Sequence, residues 1–353
     1  MNVGFFFIFC YVIIYQILLW SQTYIWLILI LDFLLVIIVV FGLKILFDMT
    51  KIRFFGKKDK SQNIMTEFRA NKPETKRPVV IFSAHYDSVS LRFSMTTVKI
   101  LYGTGALYIL TYLILTLILS IWSLLALFSL VSIGYYFIFL TIITLVIGDI
   151  ILIMLVFIFF NKKTNNSTGS IDNATGVSVL LELAKLIKKY PLENIDVWFL
   201  WCGAEEWGLY GSKNFCKVHF NDLNEEYELD KSYNINIDMV GSYIGLVEKT
   251  GLIKKKRMNE KLNDILVAEA KNLNIPLAQS SVPIGSGSDH MVFQGFAKKN
   301  EKKKFQVCCF LSIKDSKYIH SARDKAELCS AEKLNGCIDI CYNALKSIDL
   351  RVE

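Results

Sequence analysis

The sequence predicts an α/β protein, with a mixed, largely parallel sheet flanked by helices and transmembrane helices in addition. Three observations lead there. Strand-like and helix-like stretches alternate along the polar parts of the chain. Two long blocks, Met1 to Leu31 and Ile100 to Gly148, contain no charged residue. Nearly every expected strand stops at a His, an Asp or a Glu.

The 353 residues are 53% hydrophobic, too apolar for one soluble domain of that length. Each charge-free block exceeds the roughly 20 apolar residues that cross a bilayer and is too long for one helix. The first reads as two helices, 4–20 and 23–47, turning at Ser21, Gln22 and Thr23. The second reads as a hairpin over 103–160 that turns between Ser129 and Gly134. A cleaved signal peptide fits poorly, since no basic stretch precedes the apolar run and no A-x-A-like site follows it. Asp32 is expected inside the bundle, protonated or beside a hydroxyl, and Asp149 near the interface. The predicted organisation is an N-terminal hairpin (1–50), an inserted hairpin (100–160), and one discontinuous soluble domain formed by 51–99 and 161–353.

In that domain "PVVIFSA" (78–84) reads as a buried strand, followed by a helix over 176–189 and the strand "IDVWFLW" (195–201). A helix after Gly208, the strand "YNINIDM" (233–239) and a helix over 258–272 come next. The strand "FQVCCFLS" (305–312) and a helix over 330–347 complete the series. Such alternation favours parallel strands covered by helices on both faces. The net charge of +7 does not imply a nucleic-acid partner, because the lysine-rich runs 254–257 and 298–304 carry no interleaved aromatics and read as solvated loops. The eight cysteines form no C-x-x-C pair, so buried free thiols are expected.

The residues at the strand ends are those that bind metals. "SAHYDS" supplies His85 and Asp87, "SIDNATG" Asp172, "GAEEWG" Glu205 and Glu206, "NIDMVG" Asp238, and "YIHSARD" His320. In an open parallel sheet the carboxyl ends of the strands converge on one crevice, where residues distant in sequence can meet. Two imidazoles with three or four carboxylates suit zinc, with manganese or cobalt as substitutes, and a shared carboxylate suits two ions about 3.5–4 Å apart. Two adjacent glutamates then make sense if one holds metal and its neighbour acts as a base.

The ordered set H-x-D (85–87), D-N-x-x-G (172–176), E-E (205–206), D-M-x-G (238–241), S-D-H-x-x-F (288–293) and Y-I-H-S (318–321) resembles the M28 family of zinc peptidases. That family includes leucyl-type aminopeptidases and glutaminyl cyclases. The resemblance implies a zinc-exopeptidase fold, two zinc ions per chain and a peptide substrate. It implies that His85 and Asp238 bind one zinc, Glu206 and His320 the other, and Asp172 both. Glu205 would be the general base, and Asp87 the carboxylate that orients His85. Ser288, Asp289 and His290 fall beside the site, where they can touch substrate, and not among the ligands. The chain departs from the family pattern in the apolar block between Asp87 and Asp172, and after Phe293, where "GFAKKNEKKK" (295–304) stands in place of a G-[IY]-P-A-like run.

The expected function is that of a membrane-anchored, zinc-dependent aminopeptidase. The alternatives are a glutaminyl cyclase-like acyltransferase, whose usual D-S is D-N here, and a non-catalytic binding protein of transferrin-receptor type, which would lack ligands present here. Lys44, Lys51, Arg53, Lys57, Lys58, Lys60, Arg92, Lys99, Lys162 and Lys163 all flank the spans on the catalytic side. The hairpin turns are uncharged, so the bias places the catalytic part in the cytoplasm.

Overall fold

The charge-free blocks fold as helices. A computed structural model of the chain describes residues 2–21, 26–46, 50, 60–72, 76–251, 254–283, 287–302 and 304–352. Gln22 and Thr23 of the expected first turn, and Lys51, Arg53, Lys57 and Lys58, lie outside the described residues. The helices are α1 (Asn2–Ser21), α2 (Trp26–Leu46), α3 (Met95–Leu127) and α4 (Tyr135–Phe160). Among the described residues, α3 and α4 are the two long and apolar enough to cross a bilayer. The second turn falls between them, as expected. α3 starts earlier than residue 103 because Ser94 caps it, its Oγ accepting the Thr97 N–H at 3.2 Å.

These four helices belong to one compact unit, Met1–Phe47 with Leu91–Lys163. Its interior polar groups bond one another where water is absent. Asp32 is buried, and its Oδ1 accepts from the Tyr11 hydroxyl at 3.0 Å and from the Tyr15 hydroxyl. Ser120 Oγ stands 3.5 Å from Oδ2. On α4, Asp149 sits near the helix middle and not at its end, contrary to expectation. There Gln16 Nε2 donates to Asp149 Oδ1 at 3.2 Å and to Leu145 O at 2.9 Å, which supplies the donor that a mid-helix carboxylate lacks.

The second unit, Asp48–Ser90 with Thr164–Glu353, is built on an eight-stranded sheet among the described residues. Its strands are β1 (Ile64–Phe68), β2 (Val79–His85), β3 (Asp196–Cys202), β4 (Tyr233–Ile237), β5 (Ile244–Thr250), β6 (Lys256–Arg257), β7 (Leu277–Val282) and β8 (Gln306–Phe310). Its helices are α5 (Thr175–Lys189), α6 (Tyr210–Glu226), α7 (Leu262–Asn272), α8 (His290–Lys299) and α9 (Ala331–Leu350). The order across the sheet is β1-β3-β2-β4-β8-β5-β6, with β7 beside β5. The central four strands, β3, β2, β4 and β8, run parallel. β1 pairs antiparallel with β3, and β5 antiparallel with β8 and β6, whereas β7 runs parallel to β5.

Alternate side chains of β2 serve the two faces, which is why the strand reads as a continuous apolar run. Val80, Phe82 and Ala84 pack with α5, α7 and α9 residues such as Leu183, Leu266 and Leu345. Val79 and Ile81 pack with α6 and α8 residues such as Phe220 and Phe293. All carboxyl ends of the central strands therefore open at one edge, between the two helical layers. Of the strands that the sequence did not reveal, β5 is half-buried within the sheet, whereas β1, β6 and β7 lie at its margins; "IMTEF" and "LAQSSV" are largely exposed and carry too little apolar periodicity to be read.

Candidate metal centre

Two strand ends, carrying His85 and Asp238, and three loops, carrying Asp172, Glu206 and His320, bring five side chains to one place. His85 is the last residue of β2, and its Nε2 lies 3.1 Å from Asp172 Oδ1 and 3.6 Å from Asp238 Oδ1. Asp238 directly follows β4. On the other side, His320 Nε2 lies 3.1 Å from Asp172 Oδ2 and 2.8 Å from Glu206 Oε1. Asp172 thus offers one oxygen to each imidazole. Two donor groups result, His85–Asp172–Asp238 and Asp172–Glu206–His320, each with its ligand atoms within 4.8 Å of one another.

These spacings also fit ligands around a metal ion. Ligands at about 2.0–2.1 Å from a tetrahedral zinc stand roughly 3.3 Å apart, close to the separations found here. Glu206 Oε1 is buried and makes no hydrogen bond of proper geometry, despite its nearness to His320. His85 Nδ1 stands 2.9 Å from the Asp87 carbonyl, which only accepts, so Nδ1 carries the proton and Nε2 is left for a ligand. Asp172, Glu206 and Asp238 find no Lys or Arg ion-pair partner among the described residues, only the two imidazoles. Buried carboxylates in such a set call for a cation.

The electrostatics of the metal-free site point the same way. Burial would raise the Asp172 carboxyl, but hydrogen bonds and charge from His320 and His85 outweigh it and hold the group well below the usual carboxylate range. Burial, with repulsion from Asp289, Asp238 and Glu206 against the attraction of His85, pushes Glu205 well above its usual value. Burial also raises Glu206, partly offset by the adjacent His320. Asp289, buried next to these groups, is pushed up to about 6, chiefly by its burial. A carboxylate that holds its proton more tightly than usual suits proton transfer near neutrality.

The motif residues around the ligands have structural reasons. Asn173, joined to Asp172 by a cis peptide bond, donates from Nδ2 to Ile237 O at 2.9 Å and accepts the Gly176 and Met239 amides at 3.0 and 3.1 Å. It ties the Asp172 turn to the Asp238 turn. Gly176 is required because a Cβ there would meet the Ile237 carbonyl at 2.4 Å and the Asn173 side chain at 2.5 Å. Gly176→Ala is therefore expected to cost roughly 1–3 kcal/mol as an overpacked contact, read as a lower denaturation midpoint. An unchanged midpoint would contradict that packing. Ala204, Met239 and His320 have φ of 56°, 78° and 56°, left-handed values for non-glycine residues beside or at the ligands. Such strain persists where surrounding structure holds it, commonly at functional sites.

Two expectations need correction. The Asp87 carboxylate does not orient His85: Oδ1 is 3.9 Å from Nδ1, too far for a hydrogen bond, and the backbone carbonyl of Asp87 does that work. The carboxylate instead accepts the amides of Glu205 and Glu206, at 2.9 and 3.1 Å, and so aims both glutamates. Ser288, Asp289 and His290 are enclosed, at 1%, 0% and 1% exposure, and present no open surface to a substrate. Ser288 Oγ accepts from Asn236 Nδ2 at 2.7 Å, which anchors the start of α8 behind the site. Sequence reading missed Asn236 and Asp324 as supports, although Asn236 stands two residues before Asp238 and Asp324 four after His320.

Known proteins similar to this chain include peptidases. Over 77 residues, 22% of this chain, it is 43% identical to aminopeptidase YwaD of Bacillus subtilis (strain 168), a stretch that covers 16% of that protein. A probable zinc metalloprotease of Pyrenophora tritici-repentis (strain Pt-1C-BFP) is 32% identical over 77 residues, again 16% of its length. Among solved structures, an aminopeptidase from Aneurinibacillus sp. strain AM-1 superposes with a TM-score of 0.48 at 18% identity, over 81% of this chain and 47% of that one. The chain thus spans about half the length of that enzyme, and the alignments with the two sequence relatives cover a smaller share still. Peptidase family M28 matches residues 158–345, which is more than half of the 353 residues, and the chain belongs to that family.

Proposed function

We propose that the protein is a membrane-anchored, zinc-dependent aminopeptidase that hydrolyses the N-terminal bond of peptides. The observation that carries this reading is the pair of donor groups sharing Asp172 beside Glu205. His85, Asp172 and Asp238 would hold one zinc, and Asp172, Glu206 and His320 the other. When bound, the two ions would supply the charge that acidifies a water and polarises the scissile carbonyl. Glu205 then accepts the water's proton and returns it to the departing amine. Asp87 holds Glu205 and Glu206 in place through their amides. Metal analysis of the purified protein, alongside hydrolysis of aminoacyl amides and cyclisation of a glutaminyl peptide, tests the reading. A folded protein that binds no zinc and cleaves no amide would sink it, and cyclisation without cleavage would favour the cyclase.

Zinc uptake should release protons. In the metal-free protein burial lowers His320, but the adjacent Asp172 and Glu206 carboxylates carry it up from 6.5 to about 10. His85 is likewise raised, burial being outweighed by Glu205, Asp172 and Asp238. The His320 imidazole is protonated near pH 8 and must be neutral to ligate, so zinc should displace about one proton from it. Calorimetry in buffers of different protonation enthalpy measures this; absence of release would remove His320 from the ligand set. Without metal, the stabilisation from His320 is full below pH 6.5 and is lost as pH rises through about 10. Denaturation of the chelated protein at pH 6, 8 and 10 should therefore show falling stability, and His320→Gln should flatten the fall.

The apolar helices are proposed to anchor the enzyme, with the inserted hairpin crossing the bilayer twice so that His85 and Asp172 share one side. Reporters placed after Arg92 and after Lys163 should lie in the same compartment, the cytoplasm by the positive-inside bias. Opposite compartments would exclude a single site.

A further inference from the structure

We infer that Asp324 is a positioning residue that latches the two ligand-bearing turns of the second donor group together before metal arrives. The inference rests on the zinc reading above. Asp324 belongs to the turn that follows His320, is fully buried, and lies in neither donor group. Its side chain points instead at the Asp172 turn: Oδ1 accepts the Ile171 amide at 2.6 Å, and Ser167 Oγ donates to Oδ2 at 3.3 Å. The Thr168 hydroxyl donates to the Asp324 carbonyl, so side chain and backbone grip the same strap. On its own side, the Asp324 amide donates to Ser321 O at 3.1 Å, which closes the turn that starts at His320.

The latch therefore acts one residue from Asp172 and four from His320. An amide held by a carboxylate makes a charge-assisted bond, stronger than a neutral one. His320 needs such support, because its φ of 56° is a conformation that non-glycine residues seldom hold unaided. Without the latch, the metal would have to order two independent loops on binding, and that entropy would be subtracted from affinity. The bonds to Asp172 and His320 made by a bound ion cannot substitute, since they exist only after binding.

Asp324→Ala and Asp324→Asn separate the possibilities. The asparagine keeps an acceptor for Ile171 and a partner for Ser167, whereas alanine removes both. Asp324→Ala is expected to lower zinc affinity about 10–100-fold, the loss typical of removing a partner that orients a ligand, while Asp324→Asn keeps most of it. Amide hydrogen exchange at Ile171 in the metal-free protein should speed up at least tenfold in the alanine variant. Equal losses in both variants would mean that the charge and not the latch matters. A lower melting point with unchanged zinc affinity would make the role merely structural, and either result overturns the proposal. A wild-type protein that binds no zinc would instead overturn the peptidase reading; Ile171 exchange alike in wild type and Asp324→Ala would then still refute the latch.

Discussion

Glu205→Gln should lower amide hydrolysis by roughly 10²–10⁴-fold, the range of a lost general base, with zinc content unchanged. The substitution keeps size and polarity but removes the ability to take a proton. Its backbone bond to Asp87 is untouched, since that runs through the Glu205 amide. The neighbouring change should behave differently. Glu206 lies 2.8 Å from His320 and inside a donor group, so Glu206→Gln should weaken one zinc and be partly rescued by excess metal. Turnover measured beside metal stoichiometry tells the two apart. Metal lost from Glu205→Gln and retained in Glu206→Gln would show the roles reversed.

Asp172→Asn should have the broadest effect, because one carboxylate serves both groups. Each of its oxygens is 3.1 Å from a different imidazole, and an amide can replace only one of them with an oxygen. The other position becomes an N–H donor turned toward the place of a cation. On the two-zinc reading proposed above, zinc content should fall from two per chain to one or fewer. Losing a metal clamp worth several kcal/mol of charge stabilisation should reduce turnover by roughly 10³–10⁴-fold. Two retained zinc ions in a folded Asp172→Asn protein would end the assignment of Asp172 as the shared ligand.

The architecture was legible where physics acts locally. Charge-free runs announce apolar helices, and the buried central strands announce themselves as apolar segments of strand length. The peripheral strands were not legible, since a half-exposed strand such as Leu277–Val282 owes its conformation to pairing with β5 and not to its own pattern. The site was legible as a set of residue types. Its supports were harder to see: a carboxylate such as Asp87 or Asp324 looks the same in sequence whether it holds an amide, a histidine or an ion. Ser288, Asp289 and His290 illustrate the limit, because a polar triplet next to a helix start reads as accessible until burial is known.

By itself the sequence determined the chemical inventory, two imidazoles and a run of carboxylates, and the order in which they occur. Only the tertiary structure decided which of them meet. Strand order and register bring His85, at the end of β2, beside Asp238 at the end of β4, although 153 positions separate other partners in the same pairing, such as Ser83 and Asn236. It also decided that Asp172 faces both histidines and that Asp87 turns away from His85 toward two amides. The reason is that ligand type is a property of one side chain. Convergence is a property of distances between chain segments, which long-range pairing and packing set and no local pattern records.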